Sequence, residues 1–498
     1  MQIVTAIAIG FLLAGAIKIW IRLRPPSSLP RDLPRIPLYT VILALWWDLS
    51  NFEIYNRWIR APLEKHGAVC VFHTGRWNVL VGHPGLVNEL FRNEAVYSKA
   101  GNHVRAPSTA LGALVGDNIV NSTQTNHRLY KSVMQPGLQR RFDAAPFIEK
   151  SRILVDRLIA AQKVESHRGV LVLPWLQKFT LDLVAVCFLG FEMKALNGAP
   201  VEQLLTQVKP GVFHPITMKF PAFDRLWWLV PSRRRIFQLV REFDHVLYTT
   251  VRQHTRSNPP GLSNMLSHLL EDALQSGQIT DKQFRSNIIV TLMAGHDNTE
   301  FLFACGMMVL GRNPAIQDRL RTEVMAATGA EPAPDALSRL PYLTSFIYEL
   351  LRLYPPISQM FNRMASRHAS LGDRIPIQPQ TSVAWTAYGL QTNPQIWGPT
   401  AAEFQPERWG STVPEIQAAV RRETVRGHYI PFSAYSRKCP AQEFALLQVR
   451  VTLFELVRRI RWTVDPQAEI KMSSGTHTFP IGLRVIIDEL DALDAVKV

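Results

Sequence analysis

The sequence predicts one mainly α domain with small β-sheets, preceded by an N-terminal transmembrane helix. Three observations carry that expectation. From about Phe142 to Asn313, and again up to Leu353, apolar residues recur at helical spacing. Alternating runs are short and few: 69–81, turning at Thr74-Gly75-Arg76, and Leu483–Ile487. No repeat, low-complexity tract or Gly/Ser linker divides the 498 residues, and a 47% apolar, 19% charged composition supplies one large core.

Taken in order, the chain opens on an apolar run from Ile3 to Ile21 in which Lys18 is the only charge. At about 1.5 Å per residue this just crosses a hydrocarbon layer of roughly 30 Å. A cleaved signal peptide is the competing reading, but no basic segment precedes the run and no small-residue cleavage site follows. Trp20 suits the interface, and Arg22, Arg24, Arg31 and Arg35, with only Asp32 among them, direct the downstream chain to the cytosol. Residues 1–22 are therefore expected to be an anchor, 23–50 a proline-rich hinge and membrane-proximal segment, and 51–498 the catalytic domain. Within the hinge, Ile36–Trp47 is too short to span and is expected to bed on the membrane surface or the body. The net charge of +15 comes with no nucleic-acid motif, so an anionic lipid or an acidic protein fits better as partner. Helices are expected from about 142, interrupted near Asn258-Pro-Pro-Gly261, then short strands and loops over about 357–435, then a last helix after Cys439.

The four cysteines (Cys70, Cys187, Cys305, Cys439) lack CxxC spacing, which argues against a disulfide framework or a zinc module. Cys439 differs from the rest in its surroundings. Arg437 and Lys438 precede it, and Pro440 follows at what looks like a helix start, so dipole and cations should favour a thiolate suited to a metal. A buried free cysteine is the bland alternative. Two other constellations bear on the choice. Glu349 and Arg352 share a helix face and can pair, and Arg408 in a proline-set loop could bracket the same carboxylate. In Leu292–Glu300, Ala294 and Gly295 leave a helix face without bulk, against which something flat could lie, while Asp297, Asn298 and Thr299 put polar groups into an apolar helix. A satisfied polar patch against a neighbouring helix is the alternative there.

Together, in this order, these motifs resemble the cytochrome P450 superfamily over nearly the whole chain, and the stretches Arg437–Gln442, Val115–Ile119 and Gln135–Gln139 look like fungal microsomal members of secondary-metabolite pathways. The resemblance implies the P450 fold, a haem whose iron takes Cys439 as axial ligand, and O–O bond cleavage favoured by the thiolate. It implies a structural clamp of Glu349, Arg352 and Arg408. By position, Arg437, Arg363, Lys131 and His127 are candidates for the haem propionates, with Arg128 a rival if the register slips, and Phe432 for the haem surroundings. Asp297, Asn298 and Thr299 are the catalytic candidates. Ala294, Gly295, Ile357, Gln359 and Phe479 are the pocket candidates, together with the segments 103–118, 213–220, 357–361 and 476–481. Electrons are expected from NADPH through the flavins of a separate cytochrome P450 reductase, with cytochrome b5 as a second candidate donor and Lys438, Arg421, Arg422 and Arg426 as the docking face. The setting implied is the endoplasmic reticulum membrane.

The chain departs from the family pattern in ways that matter. Tyr435 and Ala441 stand where glycine is usual, so the turn at Tyr435 either keeps a negative φ or is compensated by packing. His127 and Lys131 stand where Trp and Arg are usual. Asn298 stands where a threonine usually helps deliver protons; Thr299 lies one residue on, turned by about 100°. A monooxygenase acting on a lipophilic small molecule is the expectation. A thiolate-haem isomerase or dehydratase needing neither dioxygen nor reductase is the alternative, and a non-catalytic membrane-tethered binding protein is a further one.

Overall fold

The computed structural model describes residues 23–165, 168–257, 264–327 and 334–490. The proposed anchor and the Asn258-Pro-Pro-Gly261 interruption lie outside the described residues. Among the described residues, no helix is long and apolar enough to cross a membrane.

One helix organises the rest. Asp281–Arg312 starts on a capping box, Thr280 with Gln283, and stops where Pro314 opens the next helix. It is buried nearly all round, which an apolar sequence with few charges permits. Helix Leu173–Val184 packs along it, and helices Pro341–Leu353 and Gln442–Arg459 contact it further on. Their side chains form the main core, from Leu154 and Phe179 through Phe303 and Leu350 to Phe454.

Sheets are small and lie to one side. The hairpin Ala68–His73/Arg76–Val81 turns through Thr74 and Gly75, both at positive φ (+51° and +70°), the geometry a two-residue hairpin needs. Ser382–Thr386 pairs parallel to its second strand, then Gln359–Ala365 and Tyr97–Lys99 follow antiparallel, setting Lys99 opposite Arg363. A second sheet joins Val170–Leu171, Arg484–Glu489 and Ile460–Val464.

Two expectations need correcting. The region 357–435 is not only strands and loops: Val413–Val425 is a helix, started by a Thr412/Glu415 capping box that was legible in the sequence. The last helix begins at Gln442, so Pro440 and Cys439 lie in the turn before it rather than in its first residues. In the hinge, Tyr39–Trp46 forms a helix that leaves Tyr39, Ile42 and Trp46 exposed.

Candidate active site

Cys439 ends a tight loop. Its amide donates to the Phe432 carbonyl at 2.8 Å, and Ser433 and Tyr435 sit in the left-handed region at φ +59° and +55°. For a non-glycine residue that conformation costs roughly 1–2 kcal/mol. Packing compensates at Tyr435: its hydroxyl accepts from Arg92 Nε at 3.0 Å and donates to Asn88 Oδ1 at 3.3 Å, with the Arg92 guanidinium 5.2 Å from the ring centre. The sulfur is half-buried. Burial pushes the Cys439 thiol up, against the Ala441 amide and the Lys438 charge, and the net direction is upward. Of the two neighbouring cations, Lys438 favours the thiolate, whereas Arg437 turns to Glu94. The other three cysteines are buried and free, with thiols pushed up by burial, Cys70 to about 11 and Cys187 to about 12.

Next to this loop lies a cluster of cations with too little negative charge. Arg437, 9% exposed, donates Nε to Glu94 Oε1 at 2.5 Å and Nη2 to the Ser122 carbonyl at 3.0 Å, leaving Nη1 without a partner. Arg363, 1% exposed, donates Nη1 to the Tyr97 carbonyl at 2.8 Å and leaves Nε without one. Lys99, its cross-strand neighbour, is also buried; burial, Arg363 and Arg437 hold its ammonium well below the ordinary lysine range. His127 is pulled down to about 4, by burial first and then by Arg437. Lys131 is half-buried a turn beyond His127, whereas Arg128 faces solvent. Glu94 is the acid acting on these groups. Several buried cations around one carboxylate, with donors unspent, fit a ligand that brings carboxylates of its own, as a haem brings two propionates. Lys99 and Glu94 escaped the sequence reading; a lysine in a short strand and a surface-type acid carry no local signal.

Glu349 and Arg352 are both fully buried and pair through two bonds, Nε to Oε2 at 2.8 Å and Nη2 to Oε1 at 2.7 Å. Arg352 also donates to the carbonyls of Gln391 and Ala401 (both 2.7 Å) and Glu403 (2.9 Å). Arg408 reaches Glu349 at 3.4 Å and the Thr400 carbonyl at 2.8 Å. Trp409 Nε1 donates to Glu349 Oε2 at 3.1 Å, a fourth member the sequence did not single out. The set ties helix Pro341–Leu353 to the 391–409 segment, with every oxygen of the carboxylate engaged.

On the long helix, Ala294 is exposed within an otherwise buried stretch, so it faces open interior space. Asn298, one turn on, donates Nδ2 to the Ala294 carbonyl at 2.9 Å and leaves Oδ1 unpartnered. Gly295 is not part of that open face: a Cβ there would lie 2.9 Å from Val184 Cγ2, so the missing side chain admits helix Leu173–Val184 instead. Thr299 spends its hydroxyl on the carbonyls of Gly295 and His296, both at 3.2 Å. Asp297 is held by a partner from another helix, Lys209 of Pro200–Val212, with Nζ 2.6 Å from Oδ1, and by His296 Nε2 at 2.9 Å. Burial pushes Asp297 up, but His296 and Lys209 overcome it and hold the carboxyl well below its usual range. Glu300, 3.4 Å from Lys209, is pushed up by burial and by Asp297 despite the ammonium. One lysine thus supports one carboxylate charge, carried by Asp297. Beyond this cluster Phe479 stacks on Phe301 at 4.2 Å, and Ile357 bridges to His477; Gln359 is buried with Nε2 unpartnered.

A half-buried sulfur at a loop end, buried cations with unspent donors next to it and an open helix face are the features a haem-thiolate protein requires. The cytochrome P450 family model matches residues 33–485. The chain is 44% identical over 461 residues to "Cytochrome P450 monooxygenase xanG" of Aspergillus fumigatus, covering 91% of this chain and 86% of that one. It is 31% identical over 469 residues to "Cytochrome P450-DIT2" of Saccharomyces cerevisiae, covering 93% and 94%. The crystal structure of the cytochrome P450DA heme domain superposes with a TM-score of 0.75 at 19% identity, over 94% of this chain and 99% of that one. The chain belongs to the cytochrome P450 family. It is an enzyme of the monooxygenase class, with a haem-thiolate iron cofactor and the family's arrangement of NADPH electrons delivered through a reductase.

Proposed function

We propose that this chain is a membrane-anchored monooxygenase of a lipophilic small molecule, an intermediate of secondary metabolism, whose Cys439 would ligate the haem iron. The observation that carries this reading is the half-buried Cys439 sulfur beside Lys99, Arg363 and Arg437, whose unspent donors fit propionates. Haem, when bound, supplies dioxygen activation and electron acceptance. The protein's part is electrostatic and positional. Arg437, Arg363 and Lys99 would hold the propionates, with His127 and Lys131 alongside. Glu349, Arg352 and Arg408 keep the segment leading to the cysteine loop rigid. Asp297, kept as a carboxylate by Lys209 and His296, would orient the donors of a proton path, and the free Oδ1 of Asn298 offers water an acceptor beside Ala294.

Residues 1–22 serve as a single span in the endoplasmic reticulum membrane with the catalytic body on the cytosolic side. Supporting this, exposed apolar side chains gather where helices Tyr39–Trp46 and Pro215–Lys219 meet: Ile42, Trp46, Ile216, and next to them Phe223, Leu226 and Leu229. Reductase, with cytochrome b5 as second donor, docks on the basic face of Lys438 and Arg421, both exposed; Arg422 and Arg426 share Glu423 and contribute less charge. The test is the reduced-minus-oxidised spectrum under carbon monoxide, with Cys439→Ser beside wild type. A red-shifted Soret band in wild type, lost in the variant, is the expected result. Haem-loaded wild type without that band removes Cys439 as ligand. Substrate-dependent NADPH consumption with reductase separates oxygenation from rearrangement.

A further inference from the structure

Among the described residues, the carboxylate that acts on Lys99, Arg363 and His127 is Glu94, and it is held in place from two sides. Its backbone lies on the turn between helix Pro84–Arg92 and strand Tyr97–Lys99, where the Asn93 carbonyl accepts from the Val96 and Tyr97 amides at 3.0 and 2.9 Å. Its side chain, 12% exposed, reaches across to the cysteine loop. There Oε2 accepts from Ser436 Oγ at 2.8 Å and Oε1 from Arg437 Nε at 2.5 Å. Just before the turn, Arg92 and Asn88 hold the Tyr435 hydroxyl. One helix end thus grips residues 435–437, immediately ahead of Lys438 and Cys439.

The charge of Glu94 is fixed. Burial works against ionisation, but hydrogen bonds from Arg437 and Ser436, with the charges of Arg437 and Arg363, hold its carboxyl below the ordinary range. Around it Lys99, Arg363 and Arg437 are buried cations, so Glu94 by itself leaves two positive charges in excess. Arg437 Nη1 and Arg363 Nε have no partner. Two propionates would bring two negative charges, and this buried set then closes to neutrality only with Glu94 counted. Were Glu94 neutral, the surplus cation beside the cysteine loop would favour an added electron on the iron. In a site that excludes water such a charge is felt far more strongly than in solvent. For holding a propionate Glu94 has the wrong sign, so its burial among the propionate candidates calls for another role.

We propose that Glu94 sets the reduction potential of the haem iron, acting as the third anion of this cluster and biasing the iron toward its ferric state. This rests on the haem-thiolate reading and adds to it a residue that tunes electron transfer through charge.

The experiment is a spectroelectrochemical titration of the haem-loaded full chain in phosphatidylcholine nanodiscs. Glu94→Gln keeps the length of the side chain and an oxygen acceptor but removes the charge. At a fixed applied potential its ferrous-to-ferric ratio should rise about tenfold, an upward shift of about 59 mV for one electron. Glu94→Asp restores the charge and should bring the ratio back to within about threefold of wild type. Ser436→Ala cuts a tie of the loop without changing charge and should move the ratio by less than about twofold. Haem transfer to an apo-globin acceptor is timed on the same samples. Glu94→Gln leaves more positive charge for the propionates and should release haem no faster than wild type. A ratio that falls, or rises by less than about twofold, in Glu94→Gln overturns the proposal, as does an equal rise in Ser436→Ala. A rise accompanied by faster haem release assigns the shift to a loosened loop and overturns it too. Should Glu94→Gln fail to fold, the same change is read on the Arg437→Gln background, where no guanidinium loses its acid, and the rise is again expected. The carbon monoxide spectrum separates the two readings: wild type without the red-shifted band removes Cys439 as ligand, while the ratio between wild type and Glu94→Gln on the same haem still decides Glu94.

Discussion

Replacing Lys209 with methionine removes the one ammonium from a buried cluster that holds Asp297 and Glu300, whose side chains are 7% and 5% exposed. Lys209 lies 2.6 Å from Asp297 and 3.4 Å from Glu300, so its loss strips the ammonium from Asp297 and leaves the imidazoles of His296 and His477 beside it. Breaking a buried pair from one side costs about 3–5 kcal/mol, and methionine matches the stem of lysine, so little of the loss comes from packing. Asp297→Asn should cost less, because Lys209 keeps Glu300. The double variant should be more stable than Lys209→Met alone, since no carboxylate at 297 is then stranded; the mutant cycle reads this coupling directly. The pH dependence follows from the shifts. Asp297 sits below its unfolded value in wild type, so its contribution is full above that value and is lost only as pH falls through the lowered one. Without Lys209, Asp297 moves up from its wild-type position, with only the imidazoles of His296 and His477 left to oppose burial, so the folded variant takes up its proton at a higher pH than wild type. The deficit of the variant should therefore narrow as pH falls from 7 toward about 5. Denaturant melts of haem-loaded protein at both pH values decide it. A loss below about 1 kcal/mol at pH 7, or a double variant whose losses simply add, refutes the account.

Arg352→Lys keeps a charge but forfeits the fork on Glu349 and most of the carbonyl bonds to Gln391, Ala401 and Glu403; about 3–5 kcal/mol and a low haem-to-protein ratio are expected, and normal haem retention would contradict the clamp. Tyr435→Gly relieves a left-handed residue, a gain of about 1 kcal/mol, and gives up the Arg92 and Asn88 contacts, worth about the same. Its melting should fall within roughly 0.5 kcal/mol of wild type, and a large loss would show that the phenol dominates. Gly295→Ala places a methyl 2.9 Å from Val184 Cγ2 and should cost about 1–3 kcal/mol, recovered by adding Val184→Ala; an unrescued loss would point to the open face instead.

The local periodicities and spacings of this chain determined a good deal by themselves. The long helix around Ala294, the Thr74-Gly75 turn, the Glu349/Arg352 pairing and the segregation of strands from helices are all written in neighbours a few residues apart, where propensity and side-chain spacing act directly. The Val413–Val425 helix was equally legible through its capping box, and was missed because frequent prolines nearby read as loop. What the tertiary structure decided are pairings between distant segments. Lys209 looks like an ordinary surface charge on an amphipathic helix until the fold sets it against Asp297, 88 residues later in number. Glu94 and Lys99 join Arg363 and Arg437 only because a short strand pairs across the sheet and the cysteine loop folds onto it. Whether a charge is solvated, paired or stranded depends on which chain segments exclude water around it, and that is a property of packing that no local sequence pattern encodes.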